Sequence, residues 1–307
     1  MRRFLGGFPG GFLGRPVVFR RLALASLVAN VVIVVTGGVV RLTGSGLGCP
    51  TWPQCEPGSL VVRPALGAHG AIEFGNRTLF GVLAVLAATV LASALFQRPV
   101  RRDRVVLAAL VLGGIPAQGV LGGITVLTGL NPWVVAGHFL LSMAIIAAAY
   151  ALWARTGPAT GGPVPARGLA IAVAVVAVAV LAVGTVVTGS GPHAGDATAP
   201  RTGLDAGQVA QLHADLVFLL VGLSVGLWFA TRTKAAAVLV TVELGQGVVG
   251  FVQYFTHLPE LVVALHMAGA CLVWIAALAV LRPVPRTVPD LPRSRVAPPP
   301  VAAGVEP

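Results

Sequence analysis

Charged side chains are scarce in this sequence. Only 10% of its 307 residues are Asp, Glu, Lys or Arg, whereas about 25% of a soluble domain is charged. Hydrophobic residues make up 56% of the chain, and the mean hydropathy is +0.89. This balance excludes an ordinary cytosolic globular protein, a disordered chain and a fibrous repeat, and it predicts a polytopic membrane protein.

Acidic residues are scarcest, with 10 Asp and Glu against 21 Lys and Arg, which gives a formal charge of +11. Such an excess can indicate nucleic-acid binding. In a chain this apolar it is better interpreted as a topology signal. We therefore expect membrane lipid around the protein and no nucleic-acid partner.

Eight apolar runs are each long enough for the roughly 20 residues of a spanning helix. Gly- and Pro-containing breakers separate them. The first is too long for a cleaved signal peptide and lacks an A-x-A site after it. The predicted spans are Val18–Val40, His69–Phe96, Val105–Leu127, Trp133–Ala154, Leu169–Thr188, Gly207–Ala230, Ala235–Tyr254 and Leu261–Leu281.

Basic residues predict the orientation. Seventeen of the 21 Lys and Arg residues fall in the N-terminal segment, the even-numbered connections and the tail. Only Arg41, Arg63 and Arg201 fall in the other connections, and Arg77 lies within a span. By the positive-inside rule, both termini are cytoplasmic and the protein is a multi-pass protein of the cell membrane.

An internal repeat divides the chain. Residues 116–143 and 244–271 are identical at ten of 28 positions at an offset of 128, including Gln118/Gln246 and His138/His266. We predict an all-α protein with two similar four-helix bundles. The predicted parts are a cytoplasmic segment (1–17), a first half (18–154), a cytoplasmic linker (155–168), a second half (169–282) and a disordered cytoplasmic tail (283–307).

Three histidines fall at similar depths in predicted spans. His138, His213 and His266 each lie about five or six residues inside a helix that runs inward from the outer surface. Polar groups are costly in lipid and indicate function, and imidazoles on facing bundle helices suit axial ligation of haem. Zinc fits less well because a closed site needs four converging ligands. An interhelical hydrogen bond is the simpler interpretation for any one of them.

The fourth inward-running span carries Glu73, Asn76 and Arg77 at the equivalent depth, with His69 at its mouth. Glu73 and Arg77 are four residues apart and could form an ion pair. Alternatively, Glu73 is a general acid or base beside a bound cofactor. His69 could face solvent, replace a missing ligand or act as a gate.

Cys49 and Cys55 lie in a Gly- and Pro-rich loop that the charge bias places outside the cell. That compartment permits disulfides, so we predict a Cys49–Cys55 bond, either structural or redox-active. Cys271, within the last span, is interpreted as a packing residue.

Two motifs resemble the haem A synthase family. One is T-G-G-x-V-R-x-T-G-S-G-L-G-C-P-x-W-P-x-C, from Thr36 to Cys55, and the other is I-E-F-G-N-R, from Ile72 to Arg77. With the placed histidines, the resemblance covers residues 18–282. Members have eight spans in two similar halves.

The resemblance implies roles for individual residues. His213 and His266 match the family's ligands of haem b in the second half, and His138 matches a ligand of the substrate haem in the first half. Glu73 matches the proposed catalytic acid of an E-x-x-H-R motif whose Arg is Arg77. Asn76 stands where that motif has His, so the first half departs from two-histidine ligation.

The resemblance implies an oxidoreductase that converts a methyl group of haem O to the formyl group of haem A for terminal oxidases, by successive monooxygenations. Its partners would include haem O, the farnesyltransferase that makes haem O, and an electron donor. The alternative hypothesis is a di-haem electron-transfer protein related to quinol or cytochrome b-type reductases. A haem or solute carrier is a third interpretation.

Overall fold

The computed structural model describes residues 11–55, 58, 67–157 and 164–283. These residues form one short 3-10 turn, Phe12–Gly14, eight long α-helices and no strand. The helices are α1 (Pro16–Leu42), α2 (Gly67–Phe96), α3 (Arg102–Leu127), α4 (Pro132–Ala154), α5 (Arg167–Ser190), α6 (Ala206–Thr231), α7 (Lys234–Phe255) and α8 (Glu260–Ala279).

Each predicted span corresponds to one helix, and all eight helices are long and apolar enough to cross a membrane. Many large apolar side chains lie on the outer surface, such as Val85, Phe218 and Leu261. In water such a surface would be unfavourable, but lipid tails solvate it. The protein is therefore a multi-pass membrane protein, as predicted.

The helices form two four-helix bundles. Helices α1 to α4 pack in a closed ring in which α4 returns to α1, and α5 to α8 do the same with α8 returning to α5. The two bundles meet where α1 contacts α8 and where α4 contacts α5 and α8. This arrangement confirms the predicted fold class.

The repeat is also visible in the backbone. The loop after α3 has left-handed φ angles of 60° at Gly129 and 61° at Leu130, and the loop after α7 has 62° at His257 and 63° at Leu258. These pairs are 128 residues apart, so the same turn connects the helices of both repeat units.

The helix bundles have two ends, one at the Cys49–Cys55 loop and the other at the chain termini. The disulfide end holds the Cys49–Cys55 loop, and the termini end holds the start of α1 and the end of α8. Predictions for 1–10, for Arg63 and for the tail from 284 onward lie outside the described residues. Which end faces the cytoplasm remains a prediction.

Candidate functional site

The three intramembrane histidines share one local arrangement. Each imidazole packs against a glycine of the preceding helix: His138 against Gly122, His213 against Gly184, and His266 against Gly250. A Cβ at these glycines would lie 3.2, 3.1 and 3.3 Å from the respective imidazole Cε1. Any larger residue would displace the ring, so glycine makes room for the imidazole.

The fourth helix pair repeats this arrangement with a different polar residue. A Cβ at Gly37 in α1 would lie 3.8 Å from Nδ2 of Asn76 in α2. Gly37, Gly122 and Gly250 each stand five residues before the end of their helix, and Gly184 stands six before its end. The three histidines and Asn76 therefore lie at matching depths near the disulfide end.

Each histidine has an unsatisfied nitrogen. Within the described part of the chain, the buried Nδ1 atoms of His138, His213 and His266 have no hydrogen-bond partner. A buried polar atom without a partner costs free energy and calls for an explanation. No hydrogen bond to another side chain holds these three rings in the described structure, so each has a ring nitrogen that could coordinate iron.

The repeated glutamines hold the histidine backbones. Gln118 Nε2 donates to the carbonyl oxygen of His138 at 3.1 Å, and Gln246 Nε2 donates to that of His266 at 2.8 Å. Both bonds connect neighbouring helices. In the second bundle a Cβ at Gly269 would collide with Gln246. The identical Gln and His of the repeat thus form one structural module used twice.

The two bundles differ at the centre of the site. The second has two imidazoles, His213 on α6 and His266 on α8, and these two helices stand diagonally opposite each other in the four-helix ring. In the first, the position corresponding to His213 is taken by Asn76, whose Oδ1 accepts a 2.8 Å hydrogen bond from Thr36 Oγ1. That bond fixes the amide, so Nδ2 is the group that Asn76 can offer to a ligand.

Glu73 is buried, and both its oxygens are engaged. Oε1 accepts from Arg77 Nη2 at 2.5 Å and from Nε at 3.1 Å, while Oε2 accepts the backbone N–H of Cys49 at 2.7 Å. Arg77 also donates to the carbonyl oxygens of Cys49 and Thr51. The predicted ion pair is therefore present, and it fastens the loop to α2.

Cys49 and Cys55 form the predicted disulfide, with both residues buried. The loop that it closes reaches over the first bundle, where a Cβ at Gly123 would collide with the indole of Trp52. Gly122, the preceding residue of α3, packs against His138. The disulfide loop therefore covers the disulfide end of the first site, a contact that sequence reasoning missed.

The remaining histidines lie outside these contacts. His69 is exposed, and its Nδ1 lies 2.9 Å from the Ser45 hydroxyl. His257 is exposed in a loop, and the carbonyl oxygen of His193 accepts from Arg41 Nε. Cys271 is buried and free, in line with a packing role.

Arg41 joins the two bundles at the disulfide end. It donates to the carbonyl oxygens of His193 at 2.5 Å and Thr188 at 3.1 Å, both in the second bundle. In the same loop, the Thr198 hydroxyl and amide donate to Asp196, and these bonds lower the pKa of that carboxyl. The loops of the two halves thus form one cover.

Among residues 11–55, 58, 67–157 and 164–283, no three His, Cys, Asp or Glu side chains group closely enough to hold a metal ion between them. Axial ligation of a porphyrin iron needs only one or two imidazoles. The donor set therefore fits a haem with one or two histidine ligands.

Sequence comparison finds relatives among curated proteins named heme A synthase. The protein from Lysinibacillus sphaericus is 31% identical over 127 residues, which cover 41% of this chain and 41% of the relative. The protein from Bacillus pumilus is 32% identical over 127 residues, 40% of each chain, and that from Listeria welshimeri is 29% identical over 122 residues. These matches span about two fifths of each relative's length.

A family model described as cytochrome oxidase assembly protein matches residues 20–65 and 67–204. The match includes α1 to α5 of the structure, with the Glu73–Arg77 pair, the disulfide loop and His138. Because it covers more than half of the sequence, the chain belongs to the COX15-CtaA family of cytochrome oxidase assembly proteins.

Proposed function

We propose that this protein is a haem A synthase, a membrane oxidoreductase that converts a methyl group of haem O to the formyl group of haem A by successive monooxygenations. One observation carries the proposal: three half-buried imidazoles with unsatisfied Nδ1 atoms lie on glycines at one depth in a duplicated bundle. The family and the names of its relatives give the reaction.

The second half is proposed to hold haem b between His213 and His266. These two imidazoles would hold the haem iron, and a haem held by two histidines would supply electron transfer. Gly184 and Gly250 leave the room that the rings need, and Gln246 fixes the backbone of His266. The residues present therefore fit this group.

The first half is proposed to bind the substrate, haem O. His138 would be its one imidazole ligand, and Asn76 stands at the matching depth on α2 with an amide instead. An amide is a poor ligand for iron compared with imidazole. A porphyrin held by His138 alone could leave, as a substrate must, and its iron would supply the oxygen chemistry.

Glu73 is proposed to transfer protons during the reaction, as a catalytic acid and base. It precedes Asn76 by three residues, so the two side chains lie on one helix face. Arg77 and the Cys49 amide hold the carboxylate in a fixed position. Arg77 is proposed to help bind the substrate indirectly, because it fastens the loop that covers it.

The proposal also assigns surroundings and partners. The protein lies in the cell membrane with both termini in the cytoplasm, which places the disulfide end outside. A farnesyltransferase that makes haem O supplies the substrate, and a separate electron donor reduces haem b. The Cys49–Cys55 bond is proposed to be structural, because it closes the loop that Glu73 and Arg77 hold.

The test is to purify the full chain, record its reduced spectrum and identify the extracted haems. Haem B together with haem O or haem A is expected. His266→Ala should lose haem B, and His138→Ala should lose haem O conversion, whereas the loop variant His257→Ala should behave as the native protein. Haem B alone would support a di-haem electron-transfer protein, and a colourless protein from haem-replete cells would refute the proposal.

A second variant tests the open position in the first half. Asn76→His places a histidine in α2 at the position that corresponds to His213 in α6. The first half should then hold its porphyrin with two imidazoles, release it less readily and convert less haem O. A native level of conversion with an unchanged haem spectrum would show that Asn76 does not face the substrate.

A further inference from the structure

One buried acid plays no part in the sites above. Glu243 in α7 is 4% exposed, and its Oε1 accepts a 2.8 Å hydrogen bond from Ser224 Oγ of α6. Its buried Oε2 has no hydrogen-bond partner in the part of the chain that the structure describes. An ionisable group left half-satisfied inside a membrane is costly, and it is retained where it has a function.

The fold does not need an acid at this position. The residue 128 positions earlier is Ile115 of α3, which is 3% exposed. Ile115 and Glu243 each stand twelve residues before the end of their helix. An apolar side chain therefore fills the equivalent place in the first bundle, and the carboxyl is specific to the second.

A small cavity lies at the termini end of the second bundle. It has a volume of about 30 Å³, enough for one water molecule, and is lined by Thr231, Thr233 and Arg282. Leu227 also lines this cavity, and it stands three residues, or about one helical turn, after Ser224 on α6. Water at the termini end therefore comes within about one helical turn of the residue that bonds Glu243.

Glu243 also lies near the proposed haem b ligands. It precedes Gly250, on which His266 packs, by seven residues, or about 10 Å along the helix axis. Helices α6 and α8 are the ones packed against α7. None of their charged or titratable side chains bonds to Glu243 in the described structure; these are His213, Asp215 and the capping Arg232 of α6, and Glu260, His266 and Cys271 of α8.

We propose that Glu243 is a proton-binding group coupled to the electron held by the second half. When one electron reduces the iron between His213 and His266 from ferric to ferrous, Glu243 takes one proton from water at the termini end and forms an O–H bond. When the electron leaves, that proton is released. The inference depends on the proposed function, since it requires a haem in the second half.

The physical reason is charge balance in a medium of low dielectric constant. A negative charge at a separation on the order of 10 Å, which is the axial distance from Glu243 to Gly250, favours protonation of the carboxylate about tenfold at an effective dielectric constant of about 20. No cation is bonded to Glu243 in the described structure. Uptake of a proton by its carboxylate would therefore balance the negative charge of the added electron.

The test is a redox titration of the purified full chain between pH 6 and 9, followed at the haem b band. Across the titration of Glu243, the reduction equilibrium of the native protein should fall by about tenfold in total, which is 59 mV for one electron. Glu243→Gln should flatten this dependence. Glu243→Ile, which copies Ile115, is the second variant in case the amide disturbs folding, and it should do the same.

The matched control is Glu260→Gln, which removes an exposed carboxyl from α8 and should keep the native slope. Infrared redox-difference spectra should show a protonated carboxyl band on reduction that both Glu243 variants lack. Equal slopes and bands in native and variant proteins would overturn the inference while the proposed function stands. A protein without haem would overturn both.

Discussion

Gly250 makes the most direct test of the imidazole sites. A Cβ there would lie 3.3 Å from His266 Cε1, just inside ordinary contact distance. Gly250→Ala therefore requires the His266 imidazole to move by a few tenths of an ångström. Gly250→Val adds one more carbon–carbon bond, about 1.5 Å, toward the same ring, which a close-packed bundle cannot absorb.

Gly247 on the same helix is the matched control. A Cβ at this position has no atom within 4 Å in the described structure. Replacing either glycine by alanine stabilises the helix by about 1 kcal/mol through backbone propensity. Any difference between the two positions therefore reports the contact with His266 and not the change in helix stability.

The assay is the haem B content per purified protein, taken from the pyridine haemochrome spectrum. Gly250→Ala should keep most of the haem with a shifted midpoint potential, and Gly250→Val should lose most of it. Gly247→Ala and Gly247→Val should keep the native content. Equal haem content in Gly250→Val and the native protein would refute the idea that glycine seats the ligand.

Three further variants test the disulfide end. Arg77→Met leaves a buried carboxylate without its cation and should lower the free energy of unfolding by about 3 kcal/mol. The double variant with Glu73→Gln should recover much of that loss, and the melting temperatures of the single and double variants would measure the difference. Replacing Cys49 and Cys55 by serine should cost about 2 kcal/mol, since the closed loop is short, whereas an unchanged melting temperature would contradict a structural role. The pKa of Asp196 is lowered in the folded protein. Its carboxylate therefore stabilises the loop above the unfolded pKa of about 4, and this stabilisation is lost as the pH falls through the folded pKa. In the Asp196→Asn variant, proteolysis of the loop should depend less on acid pH than in the native protein.

Much of the fold could be predicted because the bilayer constrains it. A spanning helix needs a fixed length of apolar residues, so the ends of the runs lie within a few residues of the helix ends. Gln118 and His138 could be found because polar residues stand out in apolar segments, and their copies at an offset of 128 mark the repeat. Glycines 122 and 250 are also copies at this offset, but the sequence has 39 glycines, so only the structure shows that these two pack against histidines.

Other parts of the site depend on contacts that no local pattern shows. Gly184 has no copy in the repeat, and only the packing of α5 on α6 brings it to His213. The position of Trp52 over α3 and the bonds of Arg41 to the second bundle join segments far apart in sequence. Loop residues like these are placed by tertiary contacts, so their neighbours could not be read from composition or periodicity.

The two bundles differ where their chemistry is proposed to differ. The second has His213 where the first has Asn76, which makes it the tighter porphyrin site under the proposed ligation. It also has Glu243 where the first has the apolar Ile115. Unlike Glu73, which is paired with Arg77, this buried acid has no bonded cation in the described structure. Both differences are expected if the second bundle retains its haem and is repeatedly reduced and reoxidised, while the first bundle releases its haem as product. Exchanging the pair, with Asn76→His and Ile115→Glu together, should therefore move retention of haem and pH-dependent reduction into the first bundle, and a first bundle that gains neither would break the link between these residues and the roles of the two halves.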